Sequence, residues 1–419
     1  HVLRWRADEL SAVAAKAVQR LVPRMRIWTG TRAIAEAVKI ADVDVIAAYP
    51  IRPYTGVMNE LAKMISDGEF SAEIIVADSE HSQFEIAKHA SAVGARTFVG
   101  SSGVGLLYAA EAITVTALAQ LPVVALAGCR ALDDPGNFGM EWNDTLVFRD
   151  FGWLVSWAKD AQEALDMTLV AYRVSEDRRV LLPQFVAVDG ATITHIASPV
   201  TPPDERIEGF LPPYKPPYPL DPEYGPITKS QHIAPSLIGP EQRKVVDASV
   251  KRSREVIEEA WRDFGKRVGR SYPPFLETAY MDDAELAIVT MGAYTKDAVY
   301  VAKKLREEGE RVGVVRLRYW RPYPAQELRE LLEGVRGIAV LDFSYSFGSP
   351  DMGGAFYNEL RAALYEANQK PLILDFLFTG GREPSVKHFR EAVEITKRAV
   401  ERGRPERLVY WPTLRGDDI

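Results

Sequence analysis

Four short stretches of the chain carry residue types that can do chemistry, and each follows an apolar run. The first is Tyr49-Pro50-Ile51-Arg52-Pro53-Tyr54-Thr55-Gly56. Proline fixes its own φ and restricts the residue before it, so this loop is stiff and Arg52 is expected in a rigid, half-buried place. A guanidinium is always charged and grips a carboxylate with a two-pronged fork. A surface arginine in a turn is the plainer reading of the same spacing.

The second stretch is Asp78-Ser79-Glu80-His81, which closes the run Ile74-Ile75-Val76 and opens a helix. Ser79 has the form of an N-cap, and an acid in the first turn suits the helix dipole, so Glu80 has a structural explanation as well as a chemical one. His81 and His89 stand two helical turns apart, too far to share a metal ion without other ligands, and no metal site is expected on this chain. The third stretch, Gly100-Ser101-Ser102-Gly103-Val104-Gly105, offers backbone N–H groups to an anion between strand and helix. It lacks the lysine of a P-loop and the spacing of the dinucleotide glycine pattern. The fourth runs from Gly128-Cys129-Arg130 through Asp133-Asp134-Pro135-Gly136-Asn137 to Gly139. It joins an arginine, two carboxylates and an amide to glycines that permit motion. The aspartates would repel an anion beside Arg130, which suits a loop that keeps them out during binding and brings them in afterwards. Caps on the turn before Pro135 are the other reading.

The elements that must position these residues read as α/β. Apolar runs at 43–48, 74–76, 97–99, 123–126 and 181–186 alternate with helical stretches at 31–40, 82–93, 108–118 and 161–174. Such alternation implies a parallel sheet covered on both faces, with ligands at the carboxyl ends of its strands. From 199 to 240 prolines dominate, as in Leu211-Pro212-Pro213-Tyr214-Lys215-Pro216-Pro217, which reads as an extended linker; a charged helix follows at 241–268. A second α/β unit begins near Glu285, with strands at 286–289, 312–315, 338–341 and 372–374. The division expected is an N-terminal extension 1–24, a first domain 25–200, a linker and helix 201–280, and a second domain 281–419 with a C-terminal helix and tail. The two domains are expected to own separate sheets.

The chain has 419 residues with 51 basic and 58 acidic side chains, a net charge of -7, which gives no general basic face for nucleic acid. No apolar stretch is long enough to span a bilayer, and a cytoplasmic location is the simplest expectation. One cysteine, Cys129, builds no disulfide framework and cannot alone hold an iron–sulfur cluster. Electron carriers, if any, must sit on another chain.

In this order the four stretches resemble the alpha-type subunits of the 2-oxoacid (pyruvate):ferredoxin oxidoreductases. Tyr49-Pro50-Ile51-Arg52-Pro53 is similar to that family's Tyr-Pro-Ile-Thr-Pro loop, and Ser79-Glu80, Gly94-Ala95 and Ser101-Ser102-Gly103 follow its run. Arg130 stands at its substrate-carboxylate arginine, and Leu317–Pro324 with Val340–Ser344 resemble its second domain. The resemblance covers nearly everything from Met25 onward. It implies a pyrimidine-binding-type thiamine diphosphate domain plus a transketolase C-terminal-like α/β domain. Glu80 takes the family's place of the acid that drives the aminopyrimidine into its imino form. The resemblance assigns Pro50, Glu80, Ser101, Ser102 and Gly103 to the cofactor, Arg130 to the substrate carboxylate and Glu80 to catalysis; the residues themselves add Arg52 and Asn137 as expected substrate contacts and Asp133 and Asp134 as expected catalytic carboxylates. The resemblance also implies partners: a beta-type subunit that holds thiamine diphosphate, Mg2+ and [4Fe-4S] clusters, and a ferredoxin-like cluster subunit. Ferredoxin would be the electron acceptor, in a dimer of heterotrimers.

One departure changes the expected substrate. Arg52 stands where the family has threonine, and a second fixed cation beside the reacting carbon suits a second carboxylate rather than the methyl of pyruvate. Oxalate, oxidised to two carbon dioxide without coenzyme A, is the expectation. The alternatives are coenzyme A-dependent oxidation of pyruvate or another 2-oxoacid, a scaffold subunit without catalysis, and a transketolase-like enzyme.

Overall fold

The computed structural model describes residues 25–132, 137–203, 207, 209–227 and 235–415, so the expectations for 1–24, Asp133, Asp134 and Gly136 fall outside the described residues. Two parallel sheets form the frame. The first has seven strands in the spatial order Tyr319–Arg321, Leu154–Trp157, Gln184–Asp189, Val124–Cys129, Thr97–Ser101, Val45–Ala48 and Glu73–Val76. All neighbours are parallel except the outer pair, where Tyr319 lies antiparallel to Ser156. The middle strands are buried along their whole length, which is why they read as continuous apolar runs rather than alternating ones.

The chain steps to opposite sides of the strand Val45–Ala48, first to Glu73–Val76 and then to Thr97–Ser101. That reversal opens a crevice at the carboxyl ends, the place where open α/β sheets bind ligands. The helix Glu80–Val93 starts there, with the Ser79 hydroxyl accepting from Ser82 N at 3.2 Å, and stops at Gly94, whose φ of 110° suits glycine. Two strand glycines let the Arg52 loop lie close on the sheet. A Cβ on Gly128 would stand 2.3 Å from Pro53 Cγ, and one on Gly100 would stand 2.5 Å from the Tyr54 ring.

The second sheet has six strands in the order Val409–Tyr410, Leu372–Leu377, Gly337–Asp342, Leu286–Thr290, Val312–Leu317 and Leu276–Ala279, the last antiparallel. Two boundaries differ from the sequence reading. Leu276–Ala279, placed in the linker, is an edge strand of the second sheet. Tyr319–Arg321, placed in the second domain, completes the edge of the first sheet. Both are short edge strands next to polar residues, with too few apolar positions to show a period. The two halves also share one apolar core, running from Phe84, Trp153 and Phe185 to Trp320, Phe356 and Leu286. The prolines of the linker lie against the first domain: Leu220 N donates to Ala92 O at 2.9 Å, and Pro212 O accepts from Arg96 at 2.7 Å. The helix Pro235–Val268 packs on Ala161–Ser175, burying Val256, Ile257, Ala260, Trp261 and Phe264 on one stripe.

Candidate active site

Four parallel strand ends deliver the four stretches to one edge. Ala48 leads to Arg52, Val76 to Glu80, Ser101 to Ser102 and Gly103, and Cys129 to Arg130. Glu80 is the first residue of its helix and half-buried. Above Gly105 there is a gap with three walls. A Cβ on that glycine would stand 2.6 Å from Glu80 Oε1, 2.6 Å from Ser101 Oγ and 2.8 Å from Ile51 Cδ1. Ser101 is fully buried, and its hydroxyl has no hydrogen-bond partner. A buried hydroxyl without a partner is costly, so this orphan beside an acid and a glycine gap fits a polar heterocycle that would satisfy it. Ser102, also buried, is differently occupied: its hydroxyl donates to Arg52 O and so closes the proline loop onto the Gly/Ser turn. Pro50 is exposed at the start of that loop.

The two arginines meet at one ring. Arg130 Cζ lies 5.2 Å from the Phe138 centroid and Arg52 Cζ lies 5.8 Å from it. Each contact is in the range where a ring quadrupole attracts a cation. Arg130 is 6% exposed, whereas Arg52 is exposed rather than half-buried as its flanking prolines suggested. The prolines stiffen the backbone, but the side chain leaves the sheet edge for open space. Among the described residues neither guanidinium has an ion-pair partner. Burial pulls Arg130 below its ordinary value, and the charges of Asp144 and Glu80 work against that pull. A nearly buried guanidinium next to a second cation, with no ion-pair partner among the described residues, is a site for an anion.

Asn137 is placed differently from the substrate role expected of it. Its Nδ2 donates to Gly380 O of the second domain at 3.1 Å, and its Oδ1 accepts from Gly139 N at 3.0 Å, so the amide ties the loop to the neighbouring domain. His81 faces Glu111 at 3.6 Å, and His89 Nδ1 lies 2.8 Å from Glu85 O. No group of three or more metal-ligating side chains gathers among the described residues.

Two residues that sequence reasoning passed over belong to the site. Phe138 sat in the fourth stretch without a role, because a lone aromatic in a loop has no period to interpret. Asp144 has both oxygens engaged in the interior. Its Oδ2 accepts from Gly103 N at 2.8 Å and from Arg130 N at 3.1 Å, and its Oδ1 accepts from Thr145 Oγ1 at 3.1 Å. Burial raises its pKa to about 7, although those hydrogen bonds favour the charged form. Trp142-Asn143-Asp144-Thr145 reads as an ordinary polar turn, and no local signal distinguishes this aspartate.

Fold and site together define a thiamine diphosphate-binding class: a parallel sheet of the pyrimidine-binding type joined to a transketolase-like second α/β domain. Residues 36–261 match the family model for pyruvate flavodoxin/ferredoxin oxidoreductase, thiamine diphosphate-binding, and residues 284–389 match core domain II of pyruvate:ferredoxin oxidoreductase. The pyruvate synthase subunit PorA of Pyrococcus abyssi is 38% identical over 94% of this chain and 99% of its own length. The ketoisovalerate oxidoreductase subunit VorA of Pyrococcus horikoshii is 34% identical over 94% and 99%. Among solved structures, a 2-oxoglutarate:ferredoxin oxidoreductase from Magnetococcus marinus superposes with a TM-score of 0.68 at 17% identity, covering 88% of this chain and 65% of that one. The chain belongs to the 2-oxoacid (pyruvate):ferredoxin oxidoreductase family, and it is an alpha-type subunit of these multi-subunit oxidoreductases.

Proposed function

We propose that this chain serves a complex that oxidises oxalate to two molecules of carbon dioxide, passes two electrons to ferredoxin, and needs no coenzyme A. The observation that carries this reading is the pair of guanidiniums, Arg52 and Arg130, gathered on Phe138 at the strand ends beside Glu80, with no ion-pair partner among the described residues. Pyruvate offers one carboxylate and a methyl group, so one of the two cations would face carbon. Oxalate offers a carboxylate to each. Two unit charges about 4 Å apart attract by about 4 kcal/mol at an effective dielectric of 20, a size suited to the nearly buried Arg130, whereas solvent screens the exposed Arg52 and its share is smaller.

Thiamine diphosphate, when bound, supplies the nucleophilic carbon and the electron sink for breaking the carbon–carbon bond. Glu80 and Ser101 would meet its aminopyrimidine, with Glu80 holding the proton at a ring nitrogen. Arg130 and Arg52 orient the substrate and lower the electron density of its carboxyl carbon, and Phe138 keeps water from one side of both cations. The diphosphate, Mg2+ and [4Fe-4S] clusters are assigned to a beta-type subunit and a ferredoxin-like subunit, in keeping with the one cysteine here.

A second reading, coenzyme A-dependent oxidation of pyruvate or a branched 2-oxoacid, is favoured by the names of the relatives. Carbon dioxide release by the purified complex from oxalate, pyruvate and ketoisovalerate, each with and without coenzyme A, separates the two. Turnover of oxalate without coenzyme A supports the first reading, and turnover of pyruvate alone refutes it. Arg52→Thr is expected to lower kcat/KM for oxalate at least about 10-fold, the equivalent of about 1.4 kcal/mol, with pyruvate affected less. An unchanged preference between the two acids would remove the role of Arg52.

A further inference from the structure

The segment Glu141–Asp144 holds the second domain with three consecutive residues and the site with the fourth. Trp142 N donates to Phe343 O at 2.8 Å. The Asn143 amide pairs twice with the backbone of Tyr345, at 2.7 Å and 2.8 Å. Glu141 Oε2 accepts from Gly380 N at 2.8 Å. Asp144 faces the opposite way, fully buried, and one of its oxygens takes both Gly103 N and Arg130 N. The two loops so joined are packed tightly. Gly103 has a φ of 53°, and a Cβ there would stand 2.7 Å from Arg130 Nε.

We propose that Asp144 is a positioning residue for the oxo-acid: it pins the Gly103 turn against the Arg130 stem, so that the guanidinium is presented in one place. The second domain, through Asn143 and Tyr345, holds Asp144 where it can do this. The inference rests on reading Arg130 as the substrate-carboxylate anchor. Asp144 touches neither that anion nor the guanidinium's outer nitrogens, since both its oxygens face backbone N–H groups and Thr145. It therefore acts through Arg130 and not on the reacting atoms. Without its acceptor, two buried N–H groups lose their partner and the stem of Arg130 is free to shift away from Gly103.

The test is steady-state kinetics of the assembled complex with whichever oxo-acid it turns over, for Asp144→Ala, Asp144→Asn, Arg130→Ala and the double variant Asp144→Ala/Arg130→Ala. Asp144→Ala is expected to raise KM about 10-fold, the size of one lost hydrogen bond to an essential group, with a smaller change in kcat. Asp144→Asn keeps a carbonyl acceptor in the same place and should recover most of that KM. The double variant should be no worse in KM than Arg130→Ala alone, because both remove one interaction. A double variant in which the two KM effects multiply shows an independent, purely structural aspartate and overturns the proposal, as does failure of Asn to restore KM. If Arg130→Ala itself leaves KM unchanged, it is the anchor reading that has failed, and the two failures are thereby told apart. Should Asp144→Ala not assemble, Asn143→Ala loosens only the Tyr345 contact; it should raise KM about 3-fold without altering cofactor content, within the range for one loosened hydrogen bond. An unchanged KM in that variant also overturns the proposal.

Discussion

Glu80 opens a helix at the rim of the crevice, with one carboxylate oxygen against the gap over Gly105 and the orphan hydroxyl of Ser101 across from it. Glu80→Gln keeps the size of the side chain and removes the acid. Turnover by the complex should fall by about 100- to 10,000-fold, the usual range for lost acid–base assistance, while subunit assembly followed by gel filtration stays normal. Activity within a few-fold of the original would exclude a proton role. Asp144 makes a different prediction, about stability. Burial puts its folded pKa, about 7, above its ordinary value of 3.8. A carboxyl raised in this way contributes stability that is complete below about pH 4 and lost as pH rises through 7. Urea denaturation of the purified chain should show Asp144→Asn losing less stability than the parent between pH 5 and pH 8. Asp189 and Asp342, raised by burial to about 6 and about 7, keep the remainder of the slope in both proteins. Equal slopes would show that Asp144 does not titrate in this window.

At the scale of elements, the short helix Val104–Tyr108 matters for what it omits. Gly105→Ala would set a methyl 2.6 Å from both Glu80 Oε1 and Ser101 Oγ, closer than carbon and oxygen can stand. Glu80 is the more movable neighbour and should be displaced. Thiamine diphosphate affinity of the complex, followed by fluorescence titration, should weaken at least about 10-fold, about 1.4 kcal/mol, with little change in thermal stability. Undiminished affinity would mean that the gap is not the pyrimidine's. Much of this arrangement was legible beforehand. The runs around Ile46, Val99 and Leu126 are too apolar to be anything but buried strands, while the equally apolar Ile74-Ile75-Val76 forms the exposed edge of the sheet; their order placed Arg52, Glu80, Ser101 and Arg130 on one edge. The helix Tyr54–Ser66 was not anticipated, because the proline loop hides its start and Pro53 supplies no capping side chain. Leu154–Trp157 was missed too: four residues, Leu-Val-Ser-Trp, are too short to show a period. The anticipated strand at 181–186 begins only at Gln184, since Leu181 turns with a φ of 49°. Asp144 and Phe138 escaped because their meaning lies in partners about 41 positions and 86 positions away in the chain.

For the molecule as a whole, the two halves are joined by buried charge as well as by apolar packing. Glu163, on the helix Ala161–Ser175, receives Arg316 at 2.6 Å and 3.0 Å and Arg318 at 2.6 Å, both from the second domain. Glu277 accepts from the same two arginines at 2.7 Å and 2.8 Å. Burial pushes the Glu163 carboxyl up, but the two guanidiniums override it and hold the group well below its ordinary range. Glu163→Gln leaves two buried cations with half their countercharge. It should destabilise the chain by about 3–5 kcal/mol, read from the urea midpoint at neutral pH. A loss below about 1 kcal/mol would show that water reaches the cluster and that it contributes as a surface pair does. The strand Tyr319–Arg321 carries the joining further. It leaves the second sheet's territory, pairs with Leu154–Trp157, and returns before Ala325. A peptide cut anywhere in the proline-rich strap would therefore sever the backbone without releasing either half, since the downstream fragment would still supply the outermost rung of the upstream sheet. The two pieces would co-purify as a nicked whole; produced alone, the upstream piece would lack its outermost rung and the downstream piece would carry that strand with no neighbour to pair it.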